Sequence, residues 1–219
     1  DIRKTLIKFD DVMNDQRQVI FGQRLKILKS LNISDILKSF LEEALSNLEN
    51  LKNDYLKSHD KKTYITSTKN ILGNVLNDNE LIELTSLSKV DFNLKISGIY
   101  VSKQNERVKL IGKDENNEIE KKILLQIIDF AWRSHLQYLE ELRQVIGLRS
   151  YGQKDPLSEF KKEAFVLFEG LLEKIKTDIV KFLFNLNLVI SEENNSEEKI
   201  KNKTQPNQKV GRNEKCPCN

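Results

Sequence analysis

The stretch LRQVIGLRSYGQKDPLSEFKKEAF, residues 142–165, decides the fold, because it connects two long helical patterns through a short turn. Upstream of the turn, one helical face is marked by residues at steps of three and four. They are Leu124, Ile128, Ala131, His135, Leu139, Leu142 and Ile146. Downstream, Pro156 suits the first turn of a helix and Asp155 can cap it. The short connection leaves the two helices to fold back antiparallel as a hairpin.

The second helix of this hairpin has a predicted buried face of its own, made of Phe160, Ala164, Leu167, Leu171, Ile175, Ile179, Phe182 and Leu186. The turn between the helices carries Arg149, Tyr151 and Lys154 among glycines. For an arbitrary hairpin, the favoured interpretation is that Tyr151 packs back onto its own helices. The alternative is a contact surface, because an aromatic ring offers a large area and loses little rotamer entropy on gripping a partner.

Two further helices are predicted ahead of the hairpin. Residues 1–31 predict one long, one-sided helix, with a stripe made of Leu6, Phe9, Met13, Ile20, Ile27 and Leu31. Ser34, followed by Asp35, predicts an N-cap for a second helix that fades near His59. The predicted buried side of that helix consists of Ile36, Leu37, Phe40, Leu41, Ala44, Leu45 and Leu48.

The middle of the chain, residues 60–118, has shorter apolar patterns and more turn residues. The segments STKN, NDNE and GKDENNE separate brief apolar patches at 71–76 and 81–87. The alternation of Phe92, Leu94 and Ile96 predicts a short strand. We therefore expect a small module inserted between stronger helices.

Composition indicates a mainly helical protein with a modest core, and the predicted fold class is all-α. The 219 residues include only 8 glycines and 3 prolines, and 38% are hydrophobic. With 36 basic and 33 acidic residues, the net charge of +3 is too small to make nucleic acid the default partner. No stretch approaches the roughly 18 to 20 uncharged apolar residues of a membrane span. The sequence opens on Asp1 without a basic and apolar leader, so we expect a fragment of a longer protein with no secretory signal.

The last part of the chain is polar and ends in two cysteines. SEENNSEEKIKNKTQPNQ, which follows Ile190, predicts a flexible linker. Cys216 and Cys218 are spaced unsuitably for an intrachain disulfide, which fits a reducing compartment. They look like half of a zinc knuckle, but structural zinc takes four protein ligands, so the site is incomplete. An unstructured tail with two reactive thiols is the favoured interpretation.

A nucleotide site is missing from the sequence. The pair Gly112 and Lys113 is followed by Asp114 and has no phosphate-cradling loop before it. Any ATP hydrolysis would therefore need residues outside this chain, and we expect none from the chain alone.

Candidate catalytic side chains have simpler interpretations. Asp10, Asp11 and Asp15 are typical of a solvated or arginine-paired helix face rather than of a catalytic pair. His135 lies on the apolar stripe with no cysteine, aspartate or second histidine at ligand spacing on the same helix. A packed, hydrogen-bonded histidine is favoured over a metal ligand or a general base.

Three stretches carry a resemblance to a known family. They are DIRKTLIKFDDVMNDQRQVIFGQR at the start, WRSHLQYLEELRQVIGLRSYGQKDPLSEFKKEAFVLF in the middle and KVGRNEKCPCN at the end. In order and spacing they resemble the C-terminal third of SecA, the motor ATPase family of bacterial preprotein translocation. The match runs from Asp1 to Asn219.

The resemblance implies an assignment of parts. Residues 1–31 look like the long helix of the helical scaffold domain, and 32–117 look like the helical wing domain. Residues 118–190 are similar to the two-helix finger with neighbouring scaffold helices. Residues 191–208 look like the flexible linker and 209–219 like a truncated zinc-binding motif. The substrate-contacting fingertip tyrosine of the family falls on Tyr151, beside Arg149 and Lys154.

The resemblance also implies partners and cofactors. The family binds the SecYEG channel and unfolded preprotein, contacts the chaperone SecB and anionic phospholipid through a complete C-terminal tail, and forms homodimers, with no nucleic acid. It works at the cytoplasmic face of the bacterial inner membrane. ATP and Mg belong to nucleotide-binding domains that this sequence lacks. Zn would need ligands beyond Asn219, which stands where the family has glycine. Phe160 replaces a commoner tyrosine and should preserve packing.

Two hypotheses follow for function. The leading one is the scaffold, wing and finger portion of a SecA-type motor that moves preproteins through the channel, with the ATP site elsewhere. The alternative is a stand-alone helical adaptor that binds protein partners or acidic lipid through its hairpin and basic tail.

Overall fold

The structure, a computed structural model, describes residues 2–148 and 155–188, with side chains from residue 7 onward. Over these residues it contains seven α-helices and no strand, which confirms the all-α prediction. Their bounds are α1 Ile2–Lys29, α2 Ser34–Ser58, α3 Lys61–Leu72, α4 Asp78–Leu84, α5 Lys89–Ile111, α6 Lys113–Ile146 and α7 Pro156–Asn185. All the described residues belong to one compact unit.

Helices α6 and α7 lie antiparallel along most of their length. The C-terminal half of α6 packs against Phe160 and Ala164 of α7, while Arg107 links Glu120 of α6 to the Leu183 carbonyl near the other end of α7. The predicted α6 face is confirmed, because every one of its seven residues is buried. The α7 face is confirmed for five residues, which are Phe160, Ala164, Leu171, Ile175 and Ile179, while Leu167 is only partly buried.

The predicted face of α7 is wrong at its C-terminal end. Phe182 is 46% exposed, and Leu186 follows the end of the helix, whereas Leu183 and Phe184 are buried. The reason is a second neighbour, since α5 also packs against this end of α7. The ring of Phe184 lies 5.6 Å from that of Tyr100 on α5. Near its C-terminal end, the buried face of α7 is therefore rotated about the helix axis relative to the face that the preceding turns bury.

Helix α1 runs antiparallel to α6 and buries the predicted Phe9, Ile20 and Ile27. Met13 is partly buried, and the side chain of Leu6 lies outside the described residues. The prediction is wrong for Leu31, because α1 ends at Lys29 and the side chain of Leu31 is 95% exposed. The guanidinium of Arg24 pairs with Asp129 of α6 at 2.7 Å. The stripe therefore ends where the helix ends.

Helix α2 begins one residue away from the prediction. Ser34 is its first residue, and Ile33, which is fully buried, occupies the N-cap position. The Ser34 hydroxyl donates to Asn32 Oδ1 at 2.6 Å instead of capping the helix. The predicted buried side is confirmed, with Leu37, Ala44 and Leu48 fully buried and the other four residues partly buried.

The predicted strand at 92–96 is wrong, because these residues lie inside α5. Phe92 and Ile96, one helical turn apart, are buried, while Leu94 between them is 66% exposed. An alternating pattern of three apolar residues fits a strand, but it also arises when an apolar residue sits on the outer face of a helix. The exposed Leu94 between two buried residues is therefore explained by a helix and not by a strand.

The buried apolar side chains form two separate cores. The root core takes side chains from all seven helices, among them Ile20, Leu48, Leu72, Phe92, Leu124 and Ile179. The tip core is smaller and uses only α1, α6 and α7; its buried members are Phe9, Leu139, Leu142, Ile146, Phe160 and Ala164. Among the described residues, the hairpin thus has a root packed among all the helices and an end packed against α1.

Candidate functional site

The predicted fingertip lies outside the described residues. Arg149, Tyr151 and Lys154 fall in the segment 149–154, and Cys216 and Cys218 fall after residue 188. The structure instead shows the two helix ends that this segment connects and the packing that supports them.

The structure describes both helix ends that flank the connecting segment. Helix α6 ends at Ile146, whose side chain belongs to the tip core. Asp155 caps α7 as predicted, since its Oδ2 accepts from the Ser158 amide at 2.9 Å and from the Ser158 hydroxyl at 2.7 Å. These hydrogen bonds favour the charged carboxylate and hold the pKa of Asp155 below its usual value.

Helix α1 braces the hairpin next to this end. The ring of Phe9 meets the ring of Phe160 edge-on, with centroids 4.9 Å apart. Around this contact Val12 and Met13 add partly buried apolar surface. Arg143 of α6 reaches Asp10 of α1 at 3.2 Å, a contact at the surface. Helices α1, α6 and α7 therefore pack along one another, and we call these three helices the three-helix rod.

A layer of polar groups crosses the rod between the two cores. Gln16 of α1, which is 7% exposed, donates from Nε2 to the carbonyl oxygen of Ala164 on α7 at 2.9 Å. Its Oε1 lies 2.8 Å from Nε2 of His135 on α6. One amide side chain therefore joins all three helices. We call Gln16, His135 and the Ala164 carbonyl the polar layer.

His135 is the packed, hydrogen-bonded histidine that the sequence predicts. Its ring centroid lies 5.6 Å from that of Trp132 and 5.8 Å from that of Phe168. Burial lowers the pKa of His135, so the neutral imidazole is favoured. Because the Gln16 amide nitrogen is committed to Ala164, its oxygen faces His135, and His135 Nε2–H is the donor.

A buried ionic cluster holds the root of the hairpin. Arg107 of α5 is 2% exposed and donates to Glu120 at 3.0 Å, to Asn116 at 3.3 Å and to the Leu183 carbonyl at 3.1 Å. Since Leu183 lies in the last turn of α7, its carbonyl lacks an intrahelical partner and takes one from Arg107. Burial raises the pKa of the nearby Tyr100 to about 12.

A second polar contact joins α7 to α3. Asn185 Nδ2 donates to the Leu72 carbonyl at 2.8 Å, and its Oδ1 accepts from the Asn74 amide at 3.1 Å. Gly73 lies between them with φ +72, and a Cβ at that position would come within 2.1 Å of Asn185 Nδ2. The close approach therefore requires glycine, for the space as well as for the backbone conformation.

Large apolar side chains remain exposed on the rod. Phe130 and Val166 line a groove of about 1130 Å³ between α6 and α7, which reaches Gly73 and Leu186 at one end. On α1, Phe21, Leu25 and Leu28 are each about half exposed and recur at helical steps. Surfaces of this kind are typical of contacts with other protein segments.

The described residues do not offer a metal or membrane-spanning site. No group of histidine, cysteine, aspartate and glutamate side chains among them is arranged to hold a metal ion. Within the same residues no helix combines the length and apolar character of a membrane span. Asp10 pairs with Arg143, while Asp11 and Asp15 line a shallow pocket with Lys8 and Lys161.

The sequence interpretation missed the polar residues that join the helices. Gln16 stands three residues after Met13 and four before Ile20, so it occupies a position of the α1 stripe that the apolar pattern leaves empty. A polar residue at a stripe position was a usable signal for a buried contact. Arg107 and Glu120 carried no such signal, because each stands beside other charged residues of its helix.

Comparison with known proteins places these features in a family. Residues 1–187 match the family described as SecA Wing and Scaffold domain. The protein translocase subunit SecA of Pelagibacter ubique is 45% identical over 99% of this chain, which covers 26% of that protein. The corresponding subunit of Wolbachia pipientis wMel is 39% identical over all of this chain, covering 25% of its length, and that of Caulobacter vibrioides is 36% identical over 88%, covering 21%.

The chain therefore spans about a quarter of the length of the first two relatives. Both the match to the wing and scaffold domain and the relatives over 30% identical extend across nearly all of the described helices. The chain belongs to the SecA family, and it corresponds to the wing and scaffold part of a protein translocase subunit.

Proposed function

We propose that this chain is the scaffold, wing and finger part of a SecA-type motor that moves preproteins through the SecYEG channel. The observation that carries the proposal is the three-helix rod, in which α1 packs along both helices of the α6–α7 hairpin. In this assignment 1–31 is the scaffold helix, 32–117 the wing and 118–190 the finger with neighbouring scaffold helices. Residues 191–208 are the linker and 209–219 the truncated zinc-binding motif.

The mechanical role follows from how the rod is built. Phe21, Leu25 and Leu28 leave an apolar stripe on the outer side of α1, which suits packing by the nucleotide-binding domains of the family. Movement of those domains would reach the hairpin through the tip core, the polar layer and the root core. The hairpin would then present residues 149–154 at the channel.

The fingertip supplies the contact with substrate. Tyr151 offers aromatic area that can hold chains of many sequences, because apolar contact does not depend on a particular partner side chain. Arg149 and Lys154 add positive charge beside it, which can meet carbonyl oxygens or acidic side chains of a passing chain. These three residues make up the proposed substrate-contacting group.

The cofactors and further partners of the proposed motor would bind outside the described residues. ATP and Mg would bind nucleotide-binding domains elsewhere in the molecule. Zn would bind Cys216 and Cys218 only together with further ligands, and a complete tail of this kind would contact SecB and anionic phospholipid. The assembly would work as a homodimer at the cytoplasmic face of the bacterial inner membrane.

Site-specific crosslinking tests the assignment. A photoreactive amino acid is placed at position 151 of a full-length SecA protein carrying this segment, and a preprotein is arrested in the SecYEG channel. We expect a crosslink to the preprotein that requires ATP. The control position is Leu94, which is exposed on α5 of the proposed wing. Equal crosslinking from both positions, or none from position 151, would remove the fingertip role.

A further inference from the structure

The polar layer lies where the two cores meet. On its root side are Trp132 and Phe168, which belong to the root core, and on its tip side are Leu139 and Ala164, which belong to the tip core. Along α1, Gln16 separates Met13 of the tip core from Ile20 of the root core. The break in apolar packing therefore occurs at the same level in all three helices.

We propose that the polar layer is a flexing point of the rod, so that the tip section opens and moves as a separate unit from the root section. The tip section comprises 7–13 of α1, 139–146 of α6 and 157–164 of α7. The root section comprises 20–29 of α1, 113–132 of α6 and 168–185 of α7, together with α2–α5.

The two sections differ in how firmly they are held. The root section shares a core with all seven described helices and is fastened by the buried Arg107 cluster and by Asn185. The tip section has a core from three helices, and its ion pairs of Arg143 with Asp10 and Glu140 and of Lys162 with Glu159 lie at the surface and are weak. Regions with few buried contacts open at lower free energy than the global unfolding reaction.

The chemistry of the layer suits repeated bending. A continuous apolar interface loses dispersion and hydrophobic contacts as soon as its close packing is disturbed. A hydrogen bond from a long, unbranched glutamine can persist while the helices shift by small amounts, because the side chain has three rotatable bonds. Water admitted to the layer can also replace either bond at little net cost, since an intramolecular hydrogen bond contributes only modestly over its hydrated alternative.

The tip section leads directly into the fingertip segment, so the flexing point has a functional consequence. Its helices end at Ile146 and begin at Pro156, on either side of the segment 149–154. Movement about the polar layer would displace the fingertip while the root stays fixed among the other helices. This functional consequence rests on the proposed role in translocation, whereas the division of the rod does not.

Hydrogen exchange on the full chain tests the division. We expect the slow amides of 139–146 and 157–164 to exchange together, at least tenfold faster than those of 123–132 and 171–183. In the double variant Gln16→Leu/His135→Leu, apolar side chains fuse the cores, and exchange in the tip section should slow at least tenfold while the root section is unchanged. Thr68→Val is the matched control, because Thr68 is buried in α3 within the root section. It should leave the tip section unaffected.

A single exchange rate for tip and root sections in the unmodified chain would overturn the proposal, and this measurement needs no variant to fold. So would unchanged tip exchange in a folded double variant. Translocation by full-length SecA carrying the double variant tests the functional consequence separately. We expect slower translocation with unchanged basal ATP hydrolysis. Normal translocation by a variant whose tip section exchanges slowly would leave the division in place and remove its use in transport.

Discussion

Arg107 donates a hydrogen bond to Glu120 at 3.0 Å, and both side chains are almost completely buried, with exposed fractions of 2% and 3%. The pair joins the end of α5 to the beginning of α6, on either side of Gly112, whose φ of +90 marks the junction of the two helices. Through the Leu183 carbonyl the same guanidinium holds the last turn of α7. Three helices of the proposed wing and finger therefore depend on one side chain at the root.

Removing that side chain should be costly. Arg107→Met leaves Glu120 as a buried carboxylate without its partner, so we expect a loss of about 3–5 kcal/mol in the free energy of unfolding. Denaturant unfolding followed by circular dichroism measures it. The control is Arg143→Met, which removes the surface pairs with Asp10 and Glu140 and should cost about 0–1 kcal/mol. Similar losses for the two variants would contradict the structural role of the Arg107 cluster.

The junction between α3 and α7 predicts a requirement for glycine. Gly73→Ala places a methyl group against the Asn185 amide and strains a backbone with positive φ, so we expect a loss of about 1–2 kcal/mol or more in stability.

Gly98→Ala is the control for this glycine. Gly98 lies inside α5 with open space around its Cβ position, so alanine should stabilise the chain by about 0.5–1 kcal/mol. Opposite signs for the two substitutions are expected in thermal unfolding. A Gly73→Ala variant as stable as the unmodified chain would show that Asn185 does not approach this closely.

The polar layer predicts a dependence of stability on pH. Burial lowers the pKa of His135, so the folded chain binds the proton less readily than the unfolded chain. The free energy of unfolding should therefore be highest above the ordinary histidine pKa of about 6.5, and should fall as the pH drops below it towards the folded pKa.

His135→Asn should remove this part of the pH dependence, measured by denaturant unfolding between about pH 8 and pH 5. His59→Asn is the matched control, because His59 is exposed and its φ of 56 is a conformation that asparagine tolerates. The control should keep the slope of the unmodified chain. If His135→Asn keeps it as well, the histidine is not buried in its neutral form.

The sequence predicted the long helices well, for a physical reason. The buried face of α6 repeats without a break over many turns, and only a helix with one apolar side produces such a pattern. Asp155 before Pro156 gave the start of α7 correctly, because cap and first-turn preferences depend on a few neighbouring residues. The resemblance of the three stretches to SecA is confirmed by the comparisons, because the order of residues within each stretch is distinctive.

The errors occurred where tertiary packing determines the outcome. The spacing of Phe92, Leu94 and Ile96 fits a strand. Only the packing of Phe92 and Ile96 against other helices shows which side of α5 is buried. The periodicity of α7 predicts Phe182 inward, but α5 packs against this end of α7 and changes its buried face. The polar layer depends on Gln16, Ala164 and His135, which are far apart in sequence. No local pattern reveals that one glutamine joins three helices.

The finger role is tested most directly by translocation with an altered fingertip. Tyr151→Ala in a full-length SecA protein carrying this segment should slow preprotein transport severalfold, because the aromatic contact is lost, while ATP binding stays intact. Tyr151→Phe should retain most of the rate if the ring makes the contact, and less if the hydroxyl does. Unchanged transport by Tyr151→Ala, with normal ATP binding, would contradict the finger role.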